Sequence, residues 1–327
     1  MKNMTKPGRG LIADIGATNA RFALADDQGV HDPLTLQCAD YQSLSEAADS
    51  YLKKTGVKTR PSSAALAVAA PVNGNDVAFT NNPWAFSIPQ IQKELDVSHL
   101  KVMNDFEAIA RGVPYLGNAD IKKTGDGQVV PGHCIGVIGP GTGLGVASLF
   151  WDGAQFRPNA CEGGHVTMPA RTQREFDIFR TLRYKYSHVS AERVCSGKGL
   201  VNIYNAIRIL DGHDAMGERT AEDISAAALS NACPVCSESL NLMMRLLGRV
   251  AGDLALTLNA RGGIYIAGGI PAKLGDYFFN SEFRAEFINK GRYEDYLREI
   301  PTFLITHLNI AFVGLQHVIM QDMAASA

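Results

Sequence analysis

Two glycine-rich turns, each set between apolar runs, constrain the fold of this chain more than any other feature. The first reads IGATN over residues 15–19, and the second reads GPGTGLG over residues 139–145. Apolar runs interrupted by a tight polar turn predict strand–turn–strand units. Two such units, far apart in a chain of 327 residues, predict a duplicated core with a cleft between its halves.

The rest of the chain alternates between strand-like and helix-like segments, which is typical of an α/β fold. Apolar residues recur at helical spacing over residues 236–259, which predicts one long buried helix and not a cofactor-binding stripe. Residues 262–269 then indicate a strand that enters a Gly-Gly turn. Further strands are predicted over residues 11–14, 21–25, 64–70, 100–103, 146–151 and 301–306, and further helices over 44–54, 88–95 and 313–323.

Length and charge narrow the class of protein. At about 150 residues per domain the chain makes about two domains. Its 31 Lys+Arg against 33 Asp+Glu leave a formal net charge of −2, which gives no electrostatic argument for binding nucleic acid or an anionic membrane. The apolar runs fall short of the ~18 residues of a membrane span, and the first ten residues lack the apolar segment of a signal peptide. We therefore expect a soluble cytoplasmic protein with no nucleic-acid or membrane partner.

The six cysteines are scattered along the sequence, unlike the cysteines of a disulfide framework. Cys233 and Cys236 form a CxxC pair, but no second pair follows at the spacing of a zinc ribbon. The sequence therefore favours an interpretation of this pair as two ordinary thiols near the start of a helix, and not as a metal or redox site.

Glycine-rich turns between strands expose backbone N–H groups that can bind phosphate oxygens. For either turn alone an ordinary hairpin is an equally good interpretation, but a third glycine cluster, at Gly268 and Gly269, favours nucleotide binding. The second turn is not a Walker loop, because no Lys follows its glycines. It is not the dinucleotide fingerprint either, because Leu144 and Val146 stand where that motif needs glycine.

The first turn differs from a plain phosphate cradle because it carries Asp14. A carboxylate repels phosphate unless a cation lies between them, so Asp14 predicts Mg²⁺, bound through water. Thr18, Asn19 and Arg21 could donate hydrogen bonds to a transferred phosphoryl group.

Two further groups of polar residues suit sugar hydroxyls. Asn104 and Asp105 follow an apolar run, at the end of a strand where an α/β sheet places its ligands. Asp105 could accept the proton of an attacking hydroxyl, although a helix N-cap explains it equally well from local sequence. Glu162 and His165 lie three residues apart in a glycine-rich loop, where a third zinc ligand is missing and hydrogen bonds to a polyol fit better.

In their order and spacing these motifs resemble the bacterial glucokinases of the hexokinase/actin-like ATPase superfamily. The resemblance covers nearly the whole chain. It is carried by residues 14–21 (DIGATNAR), 80–84 (TNNPW), 104–106 (NDF), 139–145 (GPGTGLG), 162–165 (EGGH), 188–197 (HVSAERVCSG), 267–269 (AGG) and 291–293 (GRY).

The resemblance implies a two-domain α/β fold of the actin-like ATPase (ribonuclease H-like) kind. A small domain would comprise residues 1–112 plus 302–327 and a large domain residues 113–301, with a cleft between them that closes on glucose. It also implies transfer of the γ-phosphoryl group of ATP to the 6-hydroxyl of D-glucose, with Mg²⁺, by a homodimer.

The resemblance implies roles for individual residues as well. Asp105 would be the general base for the sugar 6-hydroxyl. Glu192 would be a sugar ligand, although by itself it reads as a helix residue beyond a Ser190 cap. The sugar would be bound by Asn104, Asp105, Glu162, His165 and Glu192. ATP and Mg²⁺ would be bound by Ala13, Asp14, Ile15, Gly16, Ala17, Thr18, Asn19, Arg21, Gly139, Gly141, Thr142, Gly143, Gly268 and Gly269, with Asp14 nearest the metal.

Three positions depart from the family pattern. Ala17 replaces a glycine, which requires a negative φ at that residue. Cys161 replaces the glycine before Glu162, and residues 310–314 (IAFVG) replace a Pro-Gly-Leu-Leu-Gly stretch near a hinge. The cysteine-rich zinc motif of the related repressor branch is absent, so we expect no structural zinc.

Three alternatives to a glucokinase stay open at this point. One is a kinase for another hexose or for N-acetylated sugars. Another is a sugar-sensing regulator that binds a sugar without phosphorylating it. The lack of a basic helix-turn-helix stretch before Gly10 counts against this alternative. The last is an actin-like ATPase without a sugar acceptor, which leaves Asn104, Asp105, Glu162 and His165 unexplained.

Overall fold

The computed structural model describes residues 9–72, 74–79, 82 and 84–325. The chain forms two compact units: the first runs up to Leu116 and resumes at His307, and the second spans Gly117–Thr306. The boundaries differ from the expected ones at residues 112 and 302. The strand at Thr302–Ile305 belongs to the second unit because it pairs in parallel with the strand at Ile264–Ile266.

The bounds of the regular elements are as follows. The strands are β1 (Gly10–Ile15), β2 (Asn19–Asp26), β3 (Gly29–Gln37), β4 (Ser63–Val68), β5 (Asp76–Ala78), β6 (Ala85–Ser87), β7 (His99–Asn104), β8 (Ile121–Thr124), β9 (Ile135–Pro140), β10 (Leu144–Trp151), β11 (Phe156–Cys161), β12 (Ile264–Ile266) and β13 (Thr302–Ile305). The helices are α1 (Leu44–Lys54), α2 (Ile88–Glu94), α3 (Asp105–Gly112), α4 (Gln173–Arg183), α5 (Gly197–Leu210), α6 (Ala221–Leu229), α7 (Pro234–Leu258), α8 (Gly269–Leu274), α9 (Asp276–Asn280), α10 (Phe283–Ile288), α11 (Glu294–Arg298) and α12 (Ile310–Ala325).

The first unit is built on a five-stranded sheet in the order β3-β2-β1-β4-β7. Strands β3, β2 and β1 are antiparallel neighbours, whereas β1, β4 and β7 run parallel. Every residue of β4 is buried, as expected for a parallel strand that is covered on both faces. Strands β5 and β6 form a separate hairpin.

Helices α3 and α12 cover one face of this sheet. Phe312 and Leu315 of α12 share a buried cluster with Ala108 of α3 and with Ile12 and Ala65 of the sheet. The C-terminal helix therefore fixes the position of α3, which begins at a candidate site residue.

The second unit is built on a six-stranded sheet in the order β11-β10-β9-β12-β13-β8. Strands β11, β10 and β9 are antiparallel, and β9, β12 and β13 run parallel. The order and directions of these five strands repeat those of β3-β2-β1-β4-β7. The predicted duplication is confirmed at the level of sheet topology.

The long helix α7 runs through the core of the second unit and contributes many of its fully buried residues. It confirms the helix predicted over residues 236–259 and begins slightly earlier. The helix ends at Leu258 and is capped by Asn259, which adopts the left-handed conformation with a φ of 50°; Asn is second only to Gly in this role. The strand predicted over residues 262–269 is shorter than expected, because α8 begins at Gly269. In the described part of the chain, no helix combines the length and apolarity needed to cross a membrane.

Candidate active site

The candidate residues of the first unit lie at the carboxyl edge of its parallel strands. Ile15 is paired with Val68, and Val68 is paired with Asn104, at the ends of β1, β4 and β7. Because neighbouring strands are about 4.8 Å apart, the end of β1 and the end of β7 are separated by about 10 Å. Open α/β sheets bind ligands at this edge.

The turn between β1 and β2 is braced by its own backbone and by a neighbouring loop. The Gly16 N–H donates to the Asn19 carbonyl at 2.9 Å, and the Cys38 N–H donates to the Thr18 carbonyl at 2.8 Å. The buried Asn82 donates through Nδ2 to the Gly16 carbonyl at 2.9 Å. Asn82 thus has a positioning role that the sequence did not predict, and the signal for it was the TNNPW motif over residues 80–84.

Only part of that motif can be described. Asn82 accepts a hydrogen bond from the Trp84 N–H at 2.9 Å, and the Trp84 ring is buried. The other three residues of the motif lie outside the described residues.

Ala17 satisfies the condition that its methyl group imposes on the first turn. Among the described residues, positive φ angles outside glycine occur at Asp32, Asp96, Asn231 and Asn259. Ala17 therefore has an ordinary backbone conformation, and the turn forms without the family's second glycine.

Asp14 and Arg21 face each other across the β1–β2 hairpin. Arg21 donates through Nη1 to Asp14 Oδ2 at 3.2 Å. Burial raises the pKa of Asp14 above its usual value, although the charge of Arg21 acts in the opposite direction. A carboxylate offers about four acceptor positions, so the bond to Arg21 leaves room for the water ligands of a cation. An oxygen donor of this kind suits Mg²⁺.

The side chains of Ala13 and Ile15 cannot contact a nucleotide. Both residues lie in β1 and are fully buried. They would contribute only backbone groups, and their assignment as nucleotide-binding residues stays a prediction.

Asn104, and not Asp105, is the N-cap of α3. Asn104 Oδ1 accepts from the Phe106 N–H at 2.9 Å, and its Nδ2 donates to the Ala70 carbonyl at 3.3 Å. The N-cap interpretation of Asp105 is therefore wrong. Asp105 is the first residue of the helix, and its Oδ1 lies 2.9 Å from the same Phe106 N–H. Negative charge is favoured at this end of a helix.

The second glycine-rich turn joins β9 to β10 in the second unit. The Gly141 N–H donates to the Gly143 carbonyl at 2.8 Å, and the Gly197 N–H donates to the Gly141 carbonyl at 2.9 Å. Gly197 is the first residue of α5, and Ser196 caps this helix by accepting from the Gly199 N–H at 2.9 Å. The start of α5 is thus tied to the turn, and a helix N-terminus is a favourable place for an anion. The sequence did not predict this contribution, although Ser196 carries the signature of a helix cap.

Glu192 contacts the second turn directly. Its Oε2 accepts from the Leu144 N–H at 3.0 Å, and a Cβ at Gly143 would lie 2.5 Å from the same oxygen. The helix predicted beyond Ser190 does not form, because Ser190 is buried and bridges to Thr167. Glu192 therefore lies against the second turn and not on an exposed helix, and its role as a sugar ligand stays a prediction.

Glu162 precedes a short 3₁₀ turn, Gly163–His165, which lies next to Glu192 and ends in His165. The Glu162 Oε2 and the His165 Nε2 are 3.9 Å apart, and both side chains are largely exposed. The Glu192 N–H donates to the Gly164 carbonyl at 2.8 Å. A Cβ at Gly164 would overlap the Leu144 carbonyl, so only glycine allows the loop to approach the turn this closely. Three of the predicted sugar ligands are thereby brought around one turn.

The Gly268–Gly269 pair also packs against the second turn. Gly268 has a φ of 87°, and a Cβ there would overlap the Pro140 carbonyl. The neighbouring Ala267 N–H donates to the Ile138 carbonyl at 2.8 Å. Within the second unit, the structure therefore gathers all the predicted groups into one patch: Gly139, Gly141, Thr142, Gly143, Glu162, His165, Glu192, Gly268 and Gly269.

Comparison with known proteins shows which family the chain belongs to. The glucokinase family model matches residues 11–322. The chain is 44% identical to the glucokinase of Paramagnetospirillum magneticum, over 93% of this chain and 95% of that protein. It is 45% identical to the glucokinase of Aromatoleum aromaticum, over 93% and 92% respectively. A crystal structure of a glucokinase from an Antarctic psychrotroph has a TM-score of 0.85 at 35% identity, covering 96% of this chain and 99% of that one. The resemblance seen in the motifs and the fold that it implied are both confirmed, and the chain belongs to the glucokinase family.

Proposed function

We propose that this chain is an ATP-dependent hexose kinase that transfers the γ-phosphoryl group of ATP to the 6-hydroxyl of D-glucose. The observation that carries the proposal is the carboxyl edge of the first sheet. There the turn flanked by Asp14 and Arg21, which contains Thr18, follows the end of β1, and Asp105 directly follows the end of β7, about 10 Å away. Phosphoryl transfer needs a group that holds the phosphates and a base for the attacking hydroxyl.

Asp105 is suited to accept the proton of the 6-hydroxyl. The carboxylate stands on the first residue of α3 and is held near the Phe106 N–H, so its position is fixed by the helix. Asn104 is held by its bonds to Phe106 and Ala70 and would orient a neighbouring sugar hydroxyl. A positioned general base contributes roughly 10²–10⁴-fold to the rate.

The phosphates would be held mainly by backbone N–H groups and by Arg21. Asp14 would hold Mg²⁺ through water, and the bound ion would supply the positive charge that neutralises the phosphate oxygens. Glu162, His165 and Glu192 of the second unit would accept and donate hydrogen bonds to the remaining sugar hydroxyls. These groups distinguish a sugar kinase from an ATPase that lacks an acceptor.

A coupled assay of ADP release, with and without glucose, tests this function. We expect release that depends on glucose, and kcat/KM that is higher for glucose than for mannose, fructose or N-acetylglucosamine. Release without any sugar would favour an ATPase, and glucose binding without release would favour a regulator. A higher kcat/KM for N-acetylglucosamine would assign the protein to N-acetylated sugars instead.

The role of Asp105 is tested by Asp105→Asn, which keeps the shape of the side chain and removes its basicity. We expect kcat to fall by roughly 10²–10⁴-fold, with an unchanged circular dichroism spectrum. Asp27→Asn is the matched control, because Asp27 is an exposed aspartate in another turn of the same unit. Equal kcat values for the two variants would contradict the role of Asp105 as the base.

We also propose that the protein acts in the cytoplasm and as a homodimer. Several large apolar side chains are exposed, among them Phe176 on α4, Tyr184 just after α4 and Ile209 on α5. Large exposed apolar groups often mark interfaces, so these side chains support association between copies of the chain. Light scattering coupled to size-exclusion chromatography should give twice the chain mass, and a monomer at micromolar concentration would contradict the dimer.

A further inference from the structure

The CxxC pair occupies a position that favours redox chemistry. Cys233 is the N-cap residue of α7, with Pro234 at the first helical position and Cys236 in the first turn. The Cys236 N–H donates to the Cys233 sulfur at 3.4 Å. Both sulfurs therefore lie at the positive end of a helix of 25 residues, where a thiolate is stabilised.

A cationic side chain stands beside the same pair. Arg219, just before α6, donates through Nη1 to the Cys236 sulfur at 3.7 Å. This contact is independent of the helix terminus, and it brings a full positive charge next to the two sulfurs. Negative charge on either sulfur is thus compensated from two sides.

The two thiols differ in how easily they ionise. Burial opposes ionisation of Cys233, but hydrogen bonds from the Cys236 thiol and backbone, together with the charge of Arg219, outweigh it and lower the pKa of Cys233. Burial and the neighbouring Cys233 raise the pKa of Cys236 to about 11. This asymmetry is the one required of an attacking sulfur and a resolving sulfur.

Exposure limits what can reach the pair. Cys233 is 4% exposed and Cys236 is 0% exposed. A bulky disulfide has little access to sulfurs covered to this extent, whereas a small hydroperoxide needs room for only two oxygen atoms.

We propose that Cys233 and Cys236 form a reversible disulfide when a hydroperoxide oxidises Cys233. The Cys233 thiolate attacks one oxygen of hydrogen peroxide, an S–O bond forms as the O–O bond breaks, and the departing hydroxide takes up a proton to become water. Cys236 then loses its proton and attacks the Cys233 sulfur, and the S–OH oxygen leaves as a second water. In sum, two thiols are oxidised by two electrons and one peroxide is reduced to two waters.

The closed pair is compatible with the fold. The disulfide would join the N-cap residue of α7 to its own first turn, where the two residues are already in hydrogen-bond contact. Oxidation therefore requires only a local adjustment, and reduction by a small dithiol such as dithiothreitol restores the starting state.

Peptide mass spectrometry of the full-length protein gives a direct test. Trypsin releases residues 220–245 as one peptide, which contains Cys233 and Cys236 and no other cysteine. After brief exposure to hydrogen peroxide, denaturation and alkylation, we expect this peptide to carry no alkyl groups and to be lighter by two hydrogens than the reduced form. Dithiothreitol should restore two alkylation sites. Oxidation of Met243 or Met244 in the same peptide adds oxygen and is not reversed by dithiothreitol, so it is easily distinguished.

Variants establish the order of the two steps. Cys233→Ser keeps a good N-cap and should slow oxidation of Cys236 about tenfold or more, because the remaining thiol is mostly protonated. Cys236→Ser should let a sulfenic acid accumulate on Cys233, where a dimedone probe traps it. Cys195→Ser is the control, because Cys195 is equally buried but its pKa is raised by that burial, so its loss should not affect oxidation of the pair.

Two results would overturn the proposal. One is a 220–245 peptide that keeps two alkylation sites after peroxide has oxidised exposed methionines of the same sample. The other is oxidation of Cys236 at the wild-type rate in the Cys233→Ser variant, which would show that Cys233 is not the attacking sulfur.

Discussion

Replacing Arg249 with methionine should destabilise the second unit strongly. Arg249 lies in α7 and is 2% exposed, and all five of its N–H donors are used. They donate to Glu175 at 2.9 and 3.0 Å, to Glu286 at 3.1 and 3.3 Å, and to the Pro169 carbonyl at 3.1 Å. Methionine fills a similar volume but leaves two buried carboxylates without their main partner. Loss of one member of a buried ion pair costs about 3–5 kcal/mol, and we expect this loss in the free energy of unfolding at pH 7.

The pH dependence of the loss has a definite sign. In the native protein burial opposes ionisation of Glu175, but bonds from Arg249 and from the Arg171 N–H outweigh it and lower the pKa. The stabilisation from Glu175 is therefore complete above its ordinary pKa and is lost as the pH falls through the lowered value. Without Arg249, burial should raise the pKa, so the variant would lose stability as the pH rises above the ordinary value. The difference between the two proteins should thus be larger at pH 7 than at pH 5, by up to about 1.4 kcal/mol per pH unit.

Urea unfolding at pH 5 and pH 7, monitored by far-ultraviolet circular dichroism, measures both effects. Arg174→Met is the matched control, because Arg174 also pairs with two carboxylates, Asp211 and Glu238, but is 39% exposed. Exposed pairs contribute up to about 1 kcal/mol. A loss for Arg249→Met no larger than that of the control, or a difference that grows toward low pH, would refute the reasoning.

Two further predictions concern the second turn. Glu192→Ala removes the acceptor of the Leu144 N–H and should raise KM for ATP and for glucose about tenfold each, whereas Glu192→Gln keeps an acceptor and should raise KM for glucose alone. Equal effects of the two variants in steady-state assays would exclude a link between Glu192 and the turn. Gly164→Ala forces the sugar-binding loop away from the Leu144 carbonyl and should raise KM for glucose about tenfold or more. Gly141→Ala is its control, since a Cβ at Gly141 meets nothing within 4 Å, and an equal effect on KM for glucose would contradict the steric argument.

Local sequence patterns predicted the strands, turns and helices that depend on interactions between residues close together in the chain. The hairpins around the two turns and the long helix α7 depend on apolar periodicity and on turn residues, which a single sequence displays. The motif resemblance then identified the family, because the order of short segments along the chain is itself a sequence property.

Features that depend on contacts between distant residues were missed or misplaced. The sequence offered Asp105 as a helix N-cap, because Asp caps helices well, whereas the N-cap is Asn104. The hydrogen bond from the Leu144 N–H to Glu192 joins residues 48 positions apart, and no local sequence pattern predicts it. Strand β13 was placed in the wrong unit because its parallel pairing with β12 spans α8 to α11.

The duplicated topology also shows how the two turns differ in chemistry. In each hairpin, one pair of facing residues lies one step before the pair that adjoins the turn. This pair is Asp14–Arg21 in the first unit and Gly139–Gly145 in the second. Equivalent positions thus carry two charged side chains in one unit and bare backbone in the other. A bare turn can offer phosphate only neutral N–H donors, whereas the first turn can also hold a cation and neutralise developing charge. Since Asp105 directly follows β7 of the same first sheet, the cation site and the general base are both expected to belong to the first unit. In the second unit, uncharged backbone N–H groups would bind phosphate, and the carboxylates of Glu162 and Glu192 would bind sugar hydroxyls.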